Sequence, residues 1–177
     1  GFAGALGRPA GEEELERERR FFEQVFEQSS TSTQILDPDG WCLRVNPKFC
    51  EMLGVAAEDI EGKKNNIFKE GKVFLNGNED QLRNVFNNHC IEEWEIFFDI
   101  GLEARKLNLK CSSDKQAWFV NKAYPILDKD GKLLNVIIQH EDISERKQAE
   151  EALRLKEEQL LSVINGTQDI ICFKDGS

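Results

Sequence analysis

The chain has 177 residues, of which 40% are hydrophobic, and it carries a formal net charge of −10 at pH 7. This apolar fraction is enough for a packed core and excludes wholesale disorder. The acidic balance excludes a nucleic-acid partner and contact with an anionic membrane surface, because both need clustered cations.

The first residues and the cysteines indicate where the protein works. Residues 1–11 are predicted to be a disordered lead or residues foreign to the natural protein, since they lack the regions of a secretory signal. No apolar run approaches the roughly 18 residues that span a bilayer. The five cysteines are odd in number and irregularly spaced, so neither a disulfide framework nor a zinc site is predicted. We therefore predict a reducing, cytoplasmic compartment.

An amphipathic helix is predicted over residues 12–29, with glutamates in its first turn, where the helix dipole favours anions. Its apolar residues fall on one stripe at helical spacing: Leu15, Phe22, Val25 and Phe26. Two interpretations remain open, since this stripe suits either packing on the same domain or pairing with a second copy.

Residues 30–143 are predicted to form one α+β core, which begins with a hairpin and short helices. An Asp-Pro-Asp-Gly turn joins the strands 34–36 and 41–45. Asn46 is the expected cap of a helix that ends at Gly54. Further short helices are predicted over 56–60 and from 78 or 79 to 88, and the apolar anchors of the loop between them include Val73, Phe74 and Leu75.

The sequence predicts mainly strands in the second half of the core. Residues 91–100 are rich in strand formers until Gly101 interrupts them, and 106–111 alternate cleanly between polar and apolar. Residues 117–127 and 133–140 are predicted to form the last hairpin, across the turn at Asp130-Gly131.

A charged helix over residues 144–164 is predicted to leave the core. Its thin apolar stripe has heptad-like spacing: Ala149, Leu153, Leu160 and Val163, with Lys156 in the remaining position. This pattern favours a two-stranded coiled-coil linker over a solvated surface helix.

Residues 165–177 are predicted to begin a second copy of the same module. The pattern of Val25 to Ser29 returns at Val163 to Thr167, and that of Gln34 to Gly40 returns at Asp169 to Gly176. Such an internal repeat is typical of a longer modular protein.

From about Phe21 to Lys147 the chain resembles a PAS domain, the sensory module of bacterial histidine kinases and related signalling proteins. The order and spacing of several short motifs carry the resemblance: Asp39-Gly40, Val45 to Cys50, Leu53-Gly54, Asp59 to Gly62, Tyr124-Pro125-Ile126, Asp130-Gly131 and Glu141 to Lys147. The last of these is similar to the exit motif of the family.

The resemblance implies a five-stranded antiparallel sheet in the order 2-1-5-4-3, with short helices on one face enclosing a cavity. It also implies that signals leave through the exit motif into the coiled coil. The expected coupling residues are Asp142, Ile143 and Arg146, and in the family the acidic and basic members often contact each other.

The resemblance also suggests a ligand pocket, whose candidate lining residues are His140, Trp94, Phe49, Met52, Phe68, Phe86 and Ile138. Strand alternation places His140 on the face of Ile138. His140 and Trp94 stand where some redox-sensing flavin relatives carry the same residue types. No ligand or a small molecule is the favoured expectation, with flavin as an alternative. Haem is disfavoured, because His89 lies just past the end of its helix.

Two other chemistries are not supported. Light-oxygen-voltage photochemistry needs a cysteine where this chain has Asn65. The spacing of Cys111 and His140 is not diagnostic of a metal site, and none is predicted.

The predicted function is that of a sensory or relay module that passes a ligand- or partner-induced change into the coiled coil, in a sensor histidine kinase. The chain itself lacks nucleophile triads and phosphate-binding loops, so it is not expected to be an enzyme. Expected partners are a second copy through the flanking helices, the adjacent module and an output domain. The alternatives are a ligand-free dimerisation module and a flavin-binding redox sensor.

Overall fold

The structure, a computed structural model, describes residues 10–69 and 78–174, with side chains as far as residue 166. Within these ranges the helices are α1 (Ala10–Glu27), α2 (Pro47–Leu53), α3 (Ala57–Ile60), α4 (Glu79–Asn88), α5 (Ile100–Lys106) and α6 (Ser144–Lys174). The strands are β1 (Ser32–Leu36), β2 (Cys42–Val45), β3 (Glu92–Asp99), β4 (Gln116–Leu127) and β5 (Leu133–Asp142).

The five strands form a single antiparallel sheet in the order β2-β1-β5-β4-β3. The predicted order 2-1-5-4-3 and the α+β class are therefore confirmed. β1 and β5 lie side by side at the centre although more than 90 residues separate them in the chain. The sheet thus brings the entrance and the exit of the domain together.

Alternation along β3 and β4 gives the sheet one buried and one exposed face. In β4, Ala117, Phe119 and Ala123 are buried, whereas Trp118 and Lys122 are exposed. In β3 the buried residues are Trp94, Ile96 and Phe98. We call the face that carries these buried residues the inner face. Strand geometry requires this period of two, because successive side chains point to opposite sides.

Helices α2, α3 and α4 cover the inner face and complete the core. They contribute fully or nearly fully buried residues: Phe49, Leu53, Ile60, Leu82, Val85 and Phe86. α2 begins as the sequence predicted. The side chain of Asn46 accepts a hydrogen bond from the backbone N–H of Phe49, and Pro47 occupies the first helical position.

The segment between β3 and β4 differs from its prediction. Residues 100–106, with Gly101, form helix α5, and the alternating stretch 106–111 lies outside the strands. Asp99 explains this, because its side chain accepts the amide of Leu102 and caps the helix. A Cβ on Gly101 would lie 2.5 Å from Oδ1 of Asp114, so glycine allows this close packing.

Each of the two terminal helices, α1 and α6, contacts the core only near one of its own ends. In α1, Phe26 is buried, but Leu15, Phe22 and Val25 of the predicted stripe are at least half exposed. α1 is anchored at its last turns, where the guanidinium of Arg44 binds the carboxylates of Glu23 and Glu27 and lies over the Phe26 ring.

α6 continues as one helix to Lys174. Residues 169–174, which the repeat matched to the opening strand and turn Gln34 to Gly40, are therefore helical in this structure. A helix satisfies its backbone groups locally, whereas a lone strand needs a partner. The start of a second module at 165–177 stays a prediction.

Two stretches with sequence-based predictions fall outside the residues that the structure describes. Val73, Phe74 and Leu75, the anchors of the loop, lie outside the described residues, as does most of the lead 1–11. In the part of the chain that the structure describes, no helix is long and apolar enough to cross a membrane.

Candidate functional site

A small cavity lies between the inner face of the sheet and α2. Its volume is about 30 Å³, room for about two water molecules. Apolar residues make most of its wall: Met52, Leu53, Ile67, Ile96, Phe98, Phe119 and Ile138. The polar residues of the wall are Gln34, Trp94, Asn121 and His140. The cavity is thus apolar with a few polar groups, the usual composition of a ligand site.

The structure places four of the seven candidate pocket residues on this wall, namely His140, Trp94, Met52 and Ile138. Phe49 packs its ring against the His140 ring, with centroids 5.5 Å apart. Phe68 and Phe86 instead pack on each other at 4.9 Å, away from the cavity. The helical spacing of Phe86 predicted only that it faces inward, and Phe68 was predicted as an apolar anchor of the loop before α4; neither residue lies on the cavity wall.

Asn121 is the site residue that sequence reasoning missed. Its Oδ1 lies 2.6 Å from Nδ1 of His140, and the residue is buried on β4. A signal was available, because Asn121 occupies an inward position between the apolar Phe119 and Ala123. A polar residue on the buried period of a strand points to a hydrogen-bonded site.

His140 is electrostatically neutral in this environment. Burial lowers the pKa of His140 to about 4, because the apolar surroundings disfavour the charged imidazolium. Its Nε2 is buried and has no hydrogen-bond partner among the described residues. The same holds for Nε1 of Trp94.

A flavin or haem does not fit this cavity. Cofactor-sized ligands occupy pockets of roughly 300–1,000 Å³, far more than the 30 Å³ present. Side chains such as Phe98 and Phe119 fill the space between sheet and helices. The residues around Trp94 and His140 therefore do not form a flavin site in this conformation.

The exit segment lies at the edge of the same site. Asp142 ends β5, and its Oδ1 accepts the amide of Ser144 at the start of α6. Its Oδ2 forms an ion pair with Nζ of Lys115. Burial alone would raise the pKa of Asp142, but the hydrogen bonds from Lys115 and Ser144 outweigh it and lower the pKa.

The contact that the family resemblance implied between Asp142 and Arg146 is not formed. Arg146 reaches across the sheet, and its guanidinium binds Glu95 of β3 at 2.8 Å. Lys147 binds the other oxygen of Glu95 at 2.5 Å. The first turn of α6 directs both cations over the exposed face, whereas Asp142 faces Lys115, so Asp142 and Arg146 point apart.

Backbone contacts fix the same junction. The amide of Ile143 donates to the carbonyl of Trp118 at 2.8 Å, and the Trp118 amide donates to Oγ of Ser144 at 3.0 Å. Ile143 is buried. We call the contacts of Glu95, Lys115 and Trp118 with residues 142–147 the exit clamp. It joins the first turn of α6 to β3, β4 and the segment before β4.

Comparison with known proteins agrees with this fold. A family sequence model described as "PAS domain" matches residues 14–145. No curated protein sequence matches the chain.

Among solved structures, the PAS domain of an HTR-like protein from Haloarcula marismortui has a TM-score of 0.52 and 18% identity, over 75% of this chain and 98% of that chain. An RNA-binding light-oxygen-voltage receptor has a TM-score of 0.59 and 17% identity, over 90% of this chain and 42% of that chain. A PAS domain from a two-component sensor histidine kinase has a TM-score of 0.51 and 12% identity, over 72% and 98%.

Identities at this level show the fold alone. The family model is the stronger finding, because it covers well over half of the chain and spans the core and the exit motif. The predicted resemblance is thereby confirmed, and the chain belongs to the PAS domain family.

Proposed function

We propose that this PAS signalling domain is a relay that passes a change in its sheet to α6, and through α6 to an output domain of the same protein. The exit clamp is the observation that carries this proposal. Glu95, in the middle of an edge strand, holds two successive cations of the first turn of α6. A tilt or twist of β3 therefore changes the direction in which α6 leaves.

The length of α6 makes such a change large at its far end. Its 31 residues span about 46 Å at roughly 1.5 Å per residue. A small rotation at the clamp becomes a displacement of several ångströms at the other end. In a two-state relay, the input shifts the population of two α6 orientations by binding one sheet geometry better than the other.

We further propose that the output is a histidine kinase and that the chain acts as a homodimer in the cytoplasm. A PAS domain of a sensor histidine kinase is among the structures with this fold. The heptad positions of α6 are exposed and suited to pairing with a second copy: Leu153, Leu160 and Val163. The four cysteines whose side chains the structure describes are free thiols, which suits a reducing compartment.

A dimerisation module without a ligand is the second candidate function. Large exposed apolar residues on α1 favour it, namely Leu15, Phe21, Phe22 and Val25. Clusters of this kind mark protein contacts. In this alternative the orientation of α6 is fixed and carries no signal.

Glu95→Gln tests the relay without any ligand. Spin labels introduced as unnatural amino acids at Lys122 on β4 and Glu157 on α6 report the distance distribution between sheet and helix. We expect Glu95→Gln to shift or broaden this distribution, because the ion pairs to Arg146 and Lys147 are lost.

The matched control is Glu93→Gln, two residues away on the same exposed face of β3. It is expected to leave the distribution unchanged. If Glu95→Gln also leaves it unchanged while both variants stay folded, the clamp does not set the orientation of α6 and the relay proposal is wrong.

A further inference from the structure

The outer side of β3 pairs with no strand among the described residues. β3 lies last in the sheet order and pairs with β4 over all eight of its residues without a bulge. The strand at the other edge, β2, has only four residues, and its pairing with β1 is irregular. Long, regular edges are the ones that accept a further strand. β3 is therefore the edge of this sheet that is suited to strand addition.

The pairing with β4 decides which backbone groups of β3 point away from the sheet. The amide of Ile100 donates to the carbonyl of Lys115, and these two residues continue the register of β3 with β4. Because bonded and non-bonded pairs alternate in an antiparallel ladder, every second residue before Ile100 also bonds toward β4. The residues in between turn their N–H and C=O groups to the free edge, namely Glu93, Glu95 and Phe97. No backbone group among the described residues bonds to these groups.

The same three residues place their side chains on the exposed face of the sheet. Phe97 packs against Trp118 with ring centroids 5.5 Å apart, yet it stays 45% exposed. Glu93 forms no ion pair with any described residue, although Lys122 lies opposite it on β4. The edge thus offers an aromatic surface at one end, a free carboxylate at the other, and Glu95 between them.

The charges of β3 disfavour a second copy of this chain as the added strand. A two-fold dimer would pair β3 with itself in antiparallel direction. The registers that match the outward groups set Glu95 opposite Glu95, Glu93 opposite Glu95, or Glu93 opposite Asp99. Like charges directly opposite each other are destabilising. The edge accordingly suits a basic strand from another protein.

The exposed side chains define the sequence pattern of that strand. Cross-strand neighbours attract each other when their charges are opposite or when both are apolar. A partner that runs antiparallel to β3 meets Phe97 first, then Glu95, then Glu93. Its matching pattern is apolar-x-basic-x-basic, in which x faces the other side of the sheet.

Such a strand would compete with the exit clamp for one carboxylate. Glu95 binds Arg146 at 2.8 Å and Lys147 at 2.5 Å. The side chain of Glu95 is 37% exposed and that of Arg146 is 50% exposed. Exposed ion pairs are weak and exchange partners readily. A basic residue held directly opposite Glu95 by backbone hydrogen bonds can therefore replace both cations of α6.

We propose that the free edge of β3 binds an extended basic segment of a partner protein by strand addition, and that the central basic residue of this segment takes Glu95 from Arg146 and Lys147. The binding itself follows from the geometry of β3. Its effect on α6 rests on the proposed relay function, for which this partner is the input.

The peptide acetyl-Thr-Val-Thr-Lys-Thr-Lys-Thr-amide carries the pattern on strand-forming threonines. Nuclear magnetic resonance of the backbone amides in the whole chain follows its binding. The amides of Glu93, Glu95 and Phe97 are expected to shift and to gain protection from hydrogen exchange. The same peptide with N-methyl groups on its valine and both lysines keeps its charge but loses the donors, so it is expected to bind at least about tenfold more weakly.

Two results of this titration would overturn strand addition. Equal affinities of the two peptides would show that charge alone attracts them. Shifts of the same three amides that depend on protein concentration, without peptide, would show that β3 pairs with a second copy instead.

Glu93→Lys tests the sequence pattern. It sets a like charge opposite the last lysine of the peptide and is expected to weaken binding about tenfold. Glu141→Lys is the matched control, because it makes the same charge change on β5, about 14 Å from the added strand, where salt screens it. If the two variants bind the peptide equally well, Glu93 does not select a basic partner and the proposal fails.

The spin labels at Lys122 and Glu157 test the effect on α6. The peptide is expected to shift their distance distribution as Glu95→Gln does, and the N-methylated peptide is expected to leave it unchanged. A bound peptide that leaves the distribution unchanged, while Glu95→Gln shifts it, would overturn the partner as input. Failure of the relay itself is distinguishable, because the Glu95→Gln measurement uses no peptide.

Discussion

At the scale of single residues, Asn46 joins three elements through one buried side chain. Its Oδ1 accepts the amides of Thr33 at 2.9 Å and Phe49 at 3.0 Å. Its Nδ2 donates to the carbonyls of Phe26 at 3.3 Å and Thr31 at 2.8 Å. Asn46 therefore caps α2 and also ties the end of α1 to β1. An aspartate in its place keeps the cap but loses both donors.

His140 gives a pH-dependent stability that can be measured. Burial lowers the pKa of His140 to about 4, whereas an unfolded histidine titrates near 6.5. Between these values the unfolded chain binds more protons. The stability contribution is therefore fully present above about pH 6.5 and is lost as the pH falls toward about 4.

Between about pH 7 and about pH 5 the wild type loses unfolding free energy because its unfolded chain binds a proton at His140. His140→Phe lacks this loss, so its free energy of unfolding is expected to fall by roughly 2 kcal/mol less over the same range. Urea denaturation at each pH measures this difference. His89→Asn, at a helix end with positive φ where asparagine is tolerated, controls for the loss of a histidine. The same pH dependence in His140→Phe and the wild type would contradict the buried neutral imidazole.

At the scale of elements, the end of α2 rests on the segment that leads into β4. Gly54 has a φ of 66°, and its amide donates to the carbonyl of Cys50. Its carbonyl accepts the amide of Ser112 at 2.8 Å. A Cβ at Gly54 would lie 2.9 Å from the backbone nitrogen of Ser113. This position needs glycine for both conformation and space.

Two alanine variants separate these requirements. Gly62 also follows a helix with a positive φ, of 69°, but a Cβ at Gly62 would meet no atom within 4 Å among the described residues. Gly62→Ala is expected to cost about 1 kcal/mol of unfolding free energy, from backbone strain alone. Gly54→Ala is expected to cost roughly 3 kcal/mol, because strain and overpacking add. Equal losses of unfolding free energy in urea denaturation would contradict the overpacking, because they would show that Ser113 moves aside at no energetic cost.

The elements also show where periodicity misleads. Residues 106–111 alternate like a strand, yet the structure leaves them outside the sheet. Asp99 explains this, because its side chain caps α5 directly after β3, and the chain rejoins the sheet only at Gln116 of β4. A local pattern predicts that a strand is possible, but a strand forms only where the chain returns to pair with another strand.

At the scale of the whole molecule, the described part of α6 is exposed along almost its entire length. With Leu153 and Leu160 at a positions and Lys156 and Val163 at d positions, its seam has the spacing of a coiled coil. A lysine in the seam weakens the pairing and sets its register. α6 of this acidic chain thus carries a narrow apolar surface that is suited to pairing with α6 of a second copy.

The oligomeric state tests this seam. We expect the wild type to dimerise at micromolar concentration and the double variant Leu153→Glu, Leu160→Glu to be monomeric, since like charges replace the apolar contacts. Analytical ultracentrifugation measures both. Ser162→Glu with Asn165→Glu adds the same charge away from the seam and is expected to remain dimeric. A monomeric wild type would contradict the coiled coil.

The sequence by itself determined the fold class, the strand order through the family resemblance, and most element positions. Turn and cap residues act locally: Asn46 with Pro47 starts α2, and Gly54 ends it. Alternation in β5 was enough to place His140 and Ile138 on the same face. These inferences hold because hydrogen-bond capping and side-chain period depend on near neighbours only.

Only the tertiary structure decided which residues meet across the sheet. Arg146 pairs with Glu95, 51 residues away, rather than with Asp142. Asn121 joins His140 from a different strand, and the cavity between them is far smaller than a cofactor site. Strand register and the packing of aromatic side chains set these distances, and both are properties of the assembled sheet and helices that no local pattern contains.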